Sequence, residues 1–233
     1  MATDPYRTFR MIILHHLENS RSQRILWLLE ELGIDYEIHW YGRDPKTDLA
    51  PPELRAVHPL GKSPVITDGE RTLAESAVIV EYLARTYGNG QWAPEPGQPG
   101  YWDFAYWMHY AESSLMPPLL IKLIFSRVRA GAPLLVRPIS GRIADEVDRA
   151  FTDRQIETHF RFVDDYLAGH RWFGGETINA ADIQMSFPLE AARVRGINGA
   201  TYPNIAGWIG RCHQRPAYLR ALEQGGEYAY GPG

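Results

Sequence analysis

A glycine- and proline-rich segment at residues 88–100 (GNGQWAPEPGQPG) divides the chain into two parts with different periodicities. Glycine reaches backbone conformations closed to other residues, and proline continues neither a helix nor a central strand. A stretch holding Gly88, Gly90, Pro94, Pro96, Gly97, Pro99 and Gly100 therefore reads as a linker, with Trp92 as its anchor. Before it, short apolar runs alternate with helical patterns. Beyond it, only helical patterns recur. Two domains are expected, residues 1–87 and 101–233, and a chain of 233 residues suffices for two modest cores.

The first part opens with a short apolar run, residues 11–17 (MIILHHL), of strand length. After the polar stretch Asn19, Ser20, Arg21 and Ser22, the residues Ile25, Leu28, Leu29 and Leu32 recur at the spacing of one helix face. Gly33 stops that helix, and residues 36–40 form a second strand. Residues 42–59 are polar and proline-rich, a loop with at most a short helix. Residues 65–67 and 71–73, joined at Asp68-Gly69, predict a β-hairpin. A second helix follows, with Ala77, Val80, Leu83 and Ala84 on its buried side. The order β-α-β, loop, β-β-α suits a four-stranded mixed sheet covered by helices.

The second part is expected to be all-α. Residues 101–129, 138–169, 179–195 and 204–222 predict helices, and residues 224–233 a loose tail.

Composition excludes several classes of function. A net charge of −4 without a basic stripe argues against a nucleic-acid partner. The longest apolar run, residues 115–125, is broken by Pro117, Pro118 and Lys122 and is too short to span a bilayer. Residues 1–10 lack the apolar stretch of a secretory signal, so a cytoplasmic location is expected. The single cysteine, Cys212, excludes an intramolecular disulfide, a CxxC motif and a cysteine-rich metal site. No metal site is expected.

Several strings fall in an order that resembles the cytosolic glutathione transferases. They are Leu60-Gly61-Lys62-Ser63-Pro64-Val65, Asp68-Gly69, Leu73-Ala74-Glu75-Ser76 and Ile79-Val80-Glu81-Tyr82-Leu83, followed by Ile178-Asn179-Ala180-Ala181-Asp182-Ile183. The resemblance covers nearly the whole chain and leans toward serine-type members of a bacterial and fungal branch. It implies a thioredoxin-like first domain and an all-helical bundle as the second. It also implies glutathione as co-substrate with no further cofactor, a small hydrophobic electrophile as partner, and a homodimer.

The resemblance implies that the Ser63–Pro64 bond is cis, with the Ser63 backbone pairing the cysteinyl part of glutathione as an added strand. It also places the γ-glutamyl carboxylate at Ser76 and the amino group at Glu75. Helix starts attract carboxylates through free N–H groups and the dipole. Read without the family, Ser76 is a helix cap and Glu75 a dipole-compatible acid. Lys62 fits a carboxylate of glutathione or a solvated surface. Arg43 and Lys46 are the cations near the glycyl end, although Leu49, Ala50, Pro51 and Pro52 occupy part of the loop that usually supplies them.

The unperturbed thiol of glutathione has a pKa of about 8.5, so little of it is thiolate near neutral pH. A hydroxyl beside a helix start lowers that value by charge-assisted hydrogen bonding. The family places its activating residue between the first strand and helix, where this chain offers Asn19, Ser20 and Ser22. Ser20 is the residue we assign to the sulfur, with Asn19 beside it. Ser20-Arg21-Ser22-Gln23 equally reads as a capping box. His15 or His16 is a further alternative, as donor or base. Absence of cysteine from this stretch argues against mixed-disulfide chemistry.

Residues 101–125 are rich in aromatics, and Tyr106, Tyr110, Ser113 and Met116 are the expected wall of the electrophile pocket, with Trp107 there or at a dimer interface. Asn179 and Asp182 read as a reciprocal helix cap, structural and not catalytic. A non-catalytic binding module on the same fold is the rival reading.

Overall fold

The structure, a computed structural model, describes residues 11–194 and 199–232. Strand β1 (Ile12–Leu17) leads into α1 (Ser22–Leu32), and β2 (Tyr36–Tyr41) returns parallel to β1. The short α2 (Leu54–Val57) precedes the hairpin β3 (Val65–Asp68) and β4 (Arg71–Ala74), and α3 (Ser76–Tyr87) follows. The sheet order is β2-β1-β3-β4, with β3 antiparallel to both β1 and β4. This is the expected mixed four-stranded sheet. At its closed end, the hydroxyls of Tyr82 and Tyr87 each donate to Oδ2 of Asp68 over 2.6 Å, tying α3 to the hairpin.

Leu14 and its register partner Ile66 are fully buried on one sheet face with Ile25, Leu29, Val80 and Leu83. On the other face Leu17 and Tyr41 pack with Leu54 of α2 and with Ala50.

Helix α1 differs from the one-faced helix its spacing predicts. Ser22, Gln23, Arg24, Leu26 and Trp27 are buried together with Ile25, Leu28 and Leu29. The reason is α10 (Pro216–Gly225), which packs along α1 and puts Tyr218 edge-on against Trp27 at 5.2 Å between ring centres. Arg215 and Arg220 reach Glu31 and Glu30 of α1, reinforcing the contact.

One compact unit of the chain runs to Tyr101 and resumes at Arg211, whereas the other is Trp102–Gly210. The helical region expected to begin at 101 and run to the end thus gives up its final segment to the first unit. The predicted helix over 204–222 is two helices, α9 (Pro203–His213) and α10, because Pro216 restarts the helix after a break. Residues near the expected loose tail are also tied down. The Ala229 N–H donates to Oδ1 of Asn19 at 2.7 Å.

The second unit contains all but the first residue of α4 (Tyr101–Tyr110), α5 (Met116–Gly131), α6 (Arg137–Val147), α7 (Asp153–Gly169), α8 (Ala180–Val194) and most of α9. A π turn at Ala111–Leu115 joins α4 to α5, and another at Asp148–Thr152 joins α6 to α7. Pro117 and Pro118 therefore stand at the start of α5, where a missing N–H is tolerated. Trp107 is buried among Tyr166, Phe173 and Phe162, which makes it a core residue and removes it from any dimer surface.

The Asn179–Asp182 cap forms in altered shape. Asp182 Oδ2 accepts from the Asn179 N–H at 3.0 Å as expected, but Asn179 Oδ1 takes the N–H of Ala181 instead of that of Asp182. The Asp182 N–H turns to the Asn179 carbonyl. Asp182 also accepts from the N–H groups of Phe173 and Gly174 and from the indole of Trp208. Burial pushes its carboxyl up to about 6, against these hydrogen bonds. No helix among the described residues is long and apolar enough to cross a membrane.

Candidate active site

Sheet register brings the predicted site residues to one end of the sheet. His15 on β1 pairs with Val65 on β3, and Val65 pairs with Ala74 on β4. The residues beyond those pairs are Glu18 to Ser20 after β1, Ser63-Pro64 before β3, and Glu75-Ser76 after β4. They share that end because β3 runs against both of its neighbours. The Ser63–Pro64 bond is cis. The Ser63 hydroxyl donates to the carbonyl of His15 at 3.0 Å, joining the proline turn to β1. Lys62, one residue earlier, is exposed.

Glu75 is exposed and holds φ at 70°, a region that favours glycine. It is the residue preceding α3, so Ser76 is the first helical residue and not the cap. Ser76 is buried, and the Ile79 N–H already bonds the Glu75 carbonyl. The N–H groups of the first turn lack intrahelical acceptors and face whatever lies at the helix start. A strained residue held at such a point is a marker of function.

Ser20 lies two residues before α1, with Arg21 between, and is 6% exposed. Its Oγ accepts from the Ser22 N–H at 3.2 Å and sits 2.8 Å from the Ser22 hydroxyl. The expected capping box does not form: Gln23 sends its carboxamide to the carbonyl of Ala221 on α10 at 2.8 Å. Asn19 has φ 47° and spends its side-chain oxygen on Ala229.

Both histidines of β1 are engaged. His15 lies 3.1 Å from the Tyr41 hydroxyl and 3.1 Å from that of Thr67, and burial with His39 nearby lowers its pKa. His16 Nδ1 is 2.9 Å from the Ser22 hydroxyl and Nε2 is 3.2 Å from the carbonyl of Gly225. Burial pushes His16 down to about 4, with Gly225 and the charge of Glu18 opposing. A ring so hard to protonate is a poor base at neutral pH.

Arg43 donates to the carbonyls of Glu18, Asn19 and Asp48. Its role is to brace the loop after β2 against the end of β1. Lys46 is exposed on that loop, with its N–H capped by Asp44.

The arrangement is a row of backbone groups and hydroxyls fit for an extended anionic peptide. Two family descriptions match the chain: "Glutathione S-transferase, N-terminal domain" over residues 20–86 and "Glutathione S-transferase, C-terminal domain" over residues 126–216. Glutathione S-transferase 3 of Schizosaccharomyces pombe is 36% identical over 92% of this chain and 88% of its own length. The chain belongs to the glutathione S-transferase family. Glutathione S-transferase 1 of Saccharomyces cerevisiae is 32% identical, over 92% of this chain and 95% of its own. A crystal structure of a glutathione S-transferase from Actinobacillus pleuropneumoniae superimposes with a TM-score of 0.77 at 34% identity, covering 95% of this chain and 100% of that one.

Within this transferase-family chain the four expected pocket residues take different positions. Tyr106 and Ser113 are exposed, and the Ser113 hydroxyl donates to the His109 carbonyl at 2.8 Å. Tyr110 and Met116 are buried, and the Tyr110 hydroxyl lies 2.5 Å from Nδ1 of His159. Burial raises the Tyr110 pKa. Tyr106 stacks on Tyr110 with 5.4 Å between ring centres. Among the described residues no group of three or more His, Cys, Asp or Glu side chains is placed to hold a metal ion.

The contributions of Gln23 and Gly225 escaped sequence reasoning, as did the link of His16 to Ser22. The one local signal was the run of polar residues, Ser22, Gln23 and Arg24, opening a helix that is otherwise apolar.

Proposed function

We propose that the chain binds glutathione along the end of its sheet and stabilises the thiolate with the Ser20 hydroxyl for attack on a hydrophobic electrophile. In this reading the Ser63 backbone beside Pro64 pairs the cysteinyl residue. Ser76 and the first turn of α3 take the γ-glutamyl carboxylate, Glu75 takes the amino group, and Lys62 a carboxylate. Asn19 supports the loop that carries Ser20. The observation that carries the reading is the register, which puts a buried hydroxyl, a cis-proline turn and a helix start at one sheet end.

Catalysis then has two sources. A charge-assisted hydrogen bond and the dipole of α1 favour the thiolate, and binding holds the sulfur in place for reaction. In this reading the exposed Tyr106 and Ser113 meet the electrophile; Tyr110 is buried and stacks on Tyr106, and Met116 is buried. A cytoplasmic homodimer belongs to the same proposal and rests on the family resemblance. Light scattering tests it, with twice the chain mass as the expected outcome. Reduction of peroxides by the same thiolate is a second activity to assay.

Titration with glutathione, followed by thiolate absorbance and turnover with an aromatic electrophile, tests the assignment. Ser20→Ala is expected to retain binding and to lose roughly 10–1,000-fold in turnover, the range of one lost stabilising donor. Binding with no turnover by the wild-type chain would favour the non-catalytic module.

A further inference from the structure

The hydroxyl proton of Ser20 has a direction, and that direction follows from a chain of four groups. A carbonyl only accepts, so the Gly225 oxygen at 3.2 Å requires a proton on Nε2 of His16. In the neutral ring Nδ1 is then a bare acceptor, and the group facing it at 2.9 Å is the Ser22 hydroxyl. Ser22 has one proton. The Leu17 carbonyl at 3.1 Å competes for it, but the shorter contact to an imidazole nitrogen is the stronger claim. The Ser22 oxygen is left with lone pairs directed at Ser20, 2.8 Å away. Ser20 already accepts from the Ser22 N–H, so its own proton turns inward to Ser22.

We propose that Ser22 and His16 are positioning residues that hold the Ser20 proton inward and release it only to an anionic sulfur. This rests on the reading that Ser20 meets the sulfur of glutathione. A neutral thiol is a weak acceptor and does not displace the Ser20–Ser22 bond. A thiolate does, because a hydrogen bond to a charged acceptor is roughly twice as strong as a neutral one. The thiol proton leaves to solvent, the Ser20 hydroxyl rotates about its C–O bond, and no covalent bond in the protein changes. The device discriminates thiolate from thiol, and its cost is an inner bond broken on each binding event. Ser22 is fully buried and 1% of His16 is exposed, so solvent does not substitute for either. The clamp on His16 comes from α10, whose Gly225 lies 209 residues away in sequence.

The test is the pKa of the protein-bound thiol, read from thiolate absorbance across pH with the full chain saturated in glutathione. Ser20→Ala should raise it. Ser22→Ala should lower it by up to about one unit, a tenfold change in the thiolate ratio, because the Ser20 proton no longer leaves an inner acceptor. Ser22→Thr, which restores the hydroxyl, should return it to the wild-type value, and in a Ser20→Ala background Ser22→Ala should have no effect. A purely structural role for Ser22 would move the melting temperature without this opposition of sign. An unchanged or raised pKa in Ser22→Ala overturns the proposal, as does failure of Ser22→Thr to restore it. An unchanged pKa in Ser20→Ala overturns instead the reading that Ser20 meets sulfur. Nitrogen-15 shifts of His16 in the wild-type chain give an answer independent of how the variants fold. A proton on Nε2 and none on Nδ1 supports the proposal, and a proton on Nδ1 overturns it.

Discussion

The indole N–H of Trp208 donates to Oδ1 of Asp182 over 2.9 Å, joining α9 to the start of α8. Asp182 gathers three backbone N–H groups besides, from Phe173, Gly174 and Asn179. A residue that resembles a helix cap in sequence is thus the polar centre of the second unit.

Asp182→Ala should cost more than a cap. Removing the carboxylate strands several buried donors, each worth about 1–3 kcal/mol. A total of roughly 3–5 kcal/mol is expected in urea unfolding. Glutathione affinity of the folded fraction should be unchanged, because the carboxylate lies in the helical unit.

His16 predicts the acid limb of stability. Its folded pKa is depressed from 6.5 to about 4 by burial. The stability it supports is present above the unfolded value and is lost as pH falls from about 6.5 through about 4. The loss amounts to about 3 kcal/mol in all. Urea midpoints measured from pH 7 to pH 4 should fall less steeply in His16→Gln than in the wild type.

Gly225 is confined by Gln23. A Cβ at Gly225 would press into the Gln23 carboxamide, which is itself held by the Ala221 carbonyl. Gly225→Ala should loosen α10 from α1 at a cost of about 1–3 kcal/mol, typical of overpacking. Hydrogen exchange should quicken in α10 and the first turn of α1. Adding Gln23→Ala should restore part of the protection.

Glu75 should separate stability from binding. Its φ of 70° is comfortable for glycine and strained for glutamate, by about 1–3 kcal/mol. Glu75→Gly is expected to keep or raise the melting temperature while weakening glutathione by roughly tenfold, about the worth of one charged contact. Calorimetry of unfolding and of binding reads the two effects apart. A fall in both would mean that the glutamate is structural.

Local chemistry determined much of this protein without tertiary information. The family resemblance marked the Lys62-Ser63-Pro64 and Glu75-Ser76 strings, while a short apolar run marked β1 and turn residues marked the hairpin, because turns need particular residues at fixed spacing. The 88–100 segment announced a division for the same reason. Tertiary structure alone decided what touches α1. Its Gln23 and Trp27 look like surface positions until α10 arrives from the far end of the chain and buries them. The inward turn of the Ser20 proton was equally out of reach, since it depends on a carbonyl at Gly225 facing a histidine at position 16. Periodicity reports which face of an element avoids water, but a contact across two hundred residues leaves no period to read.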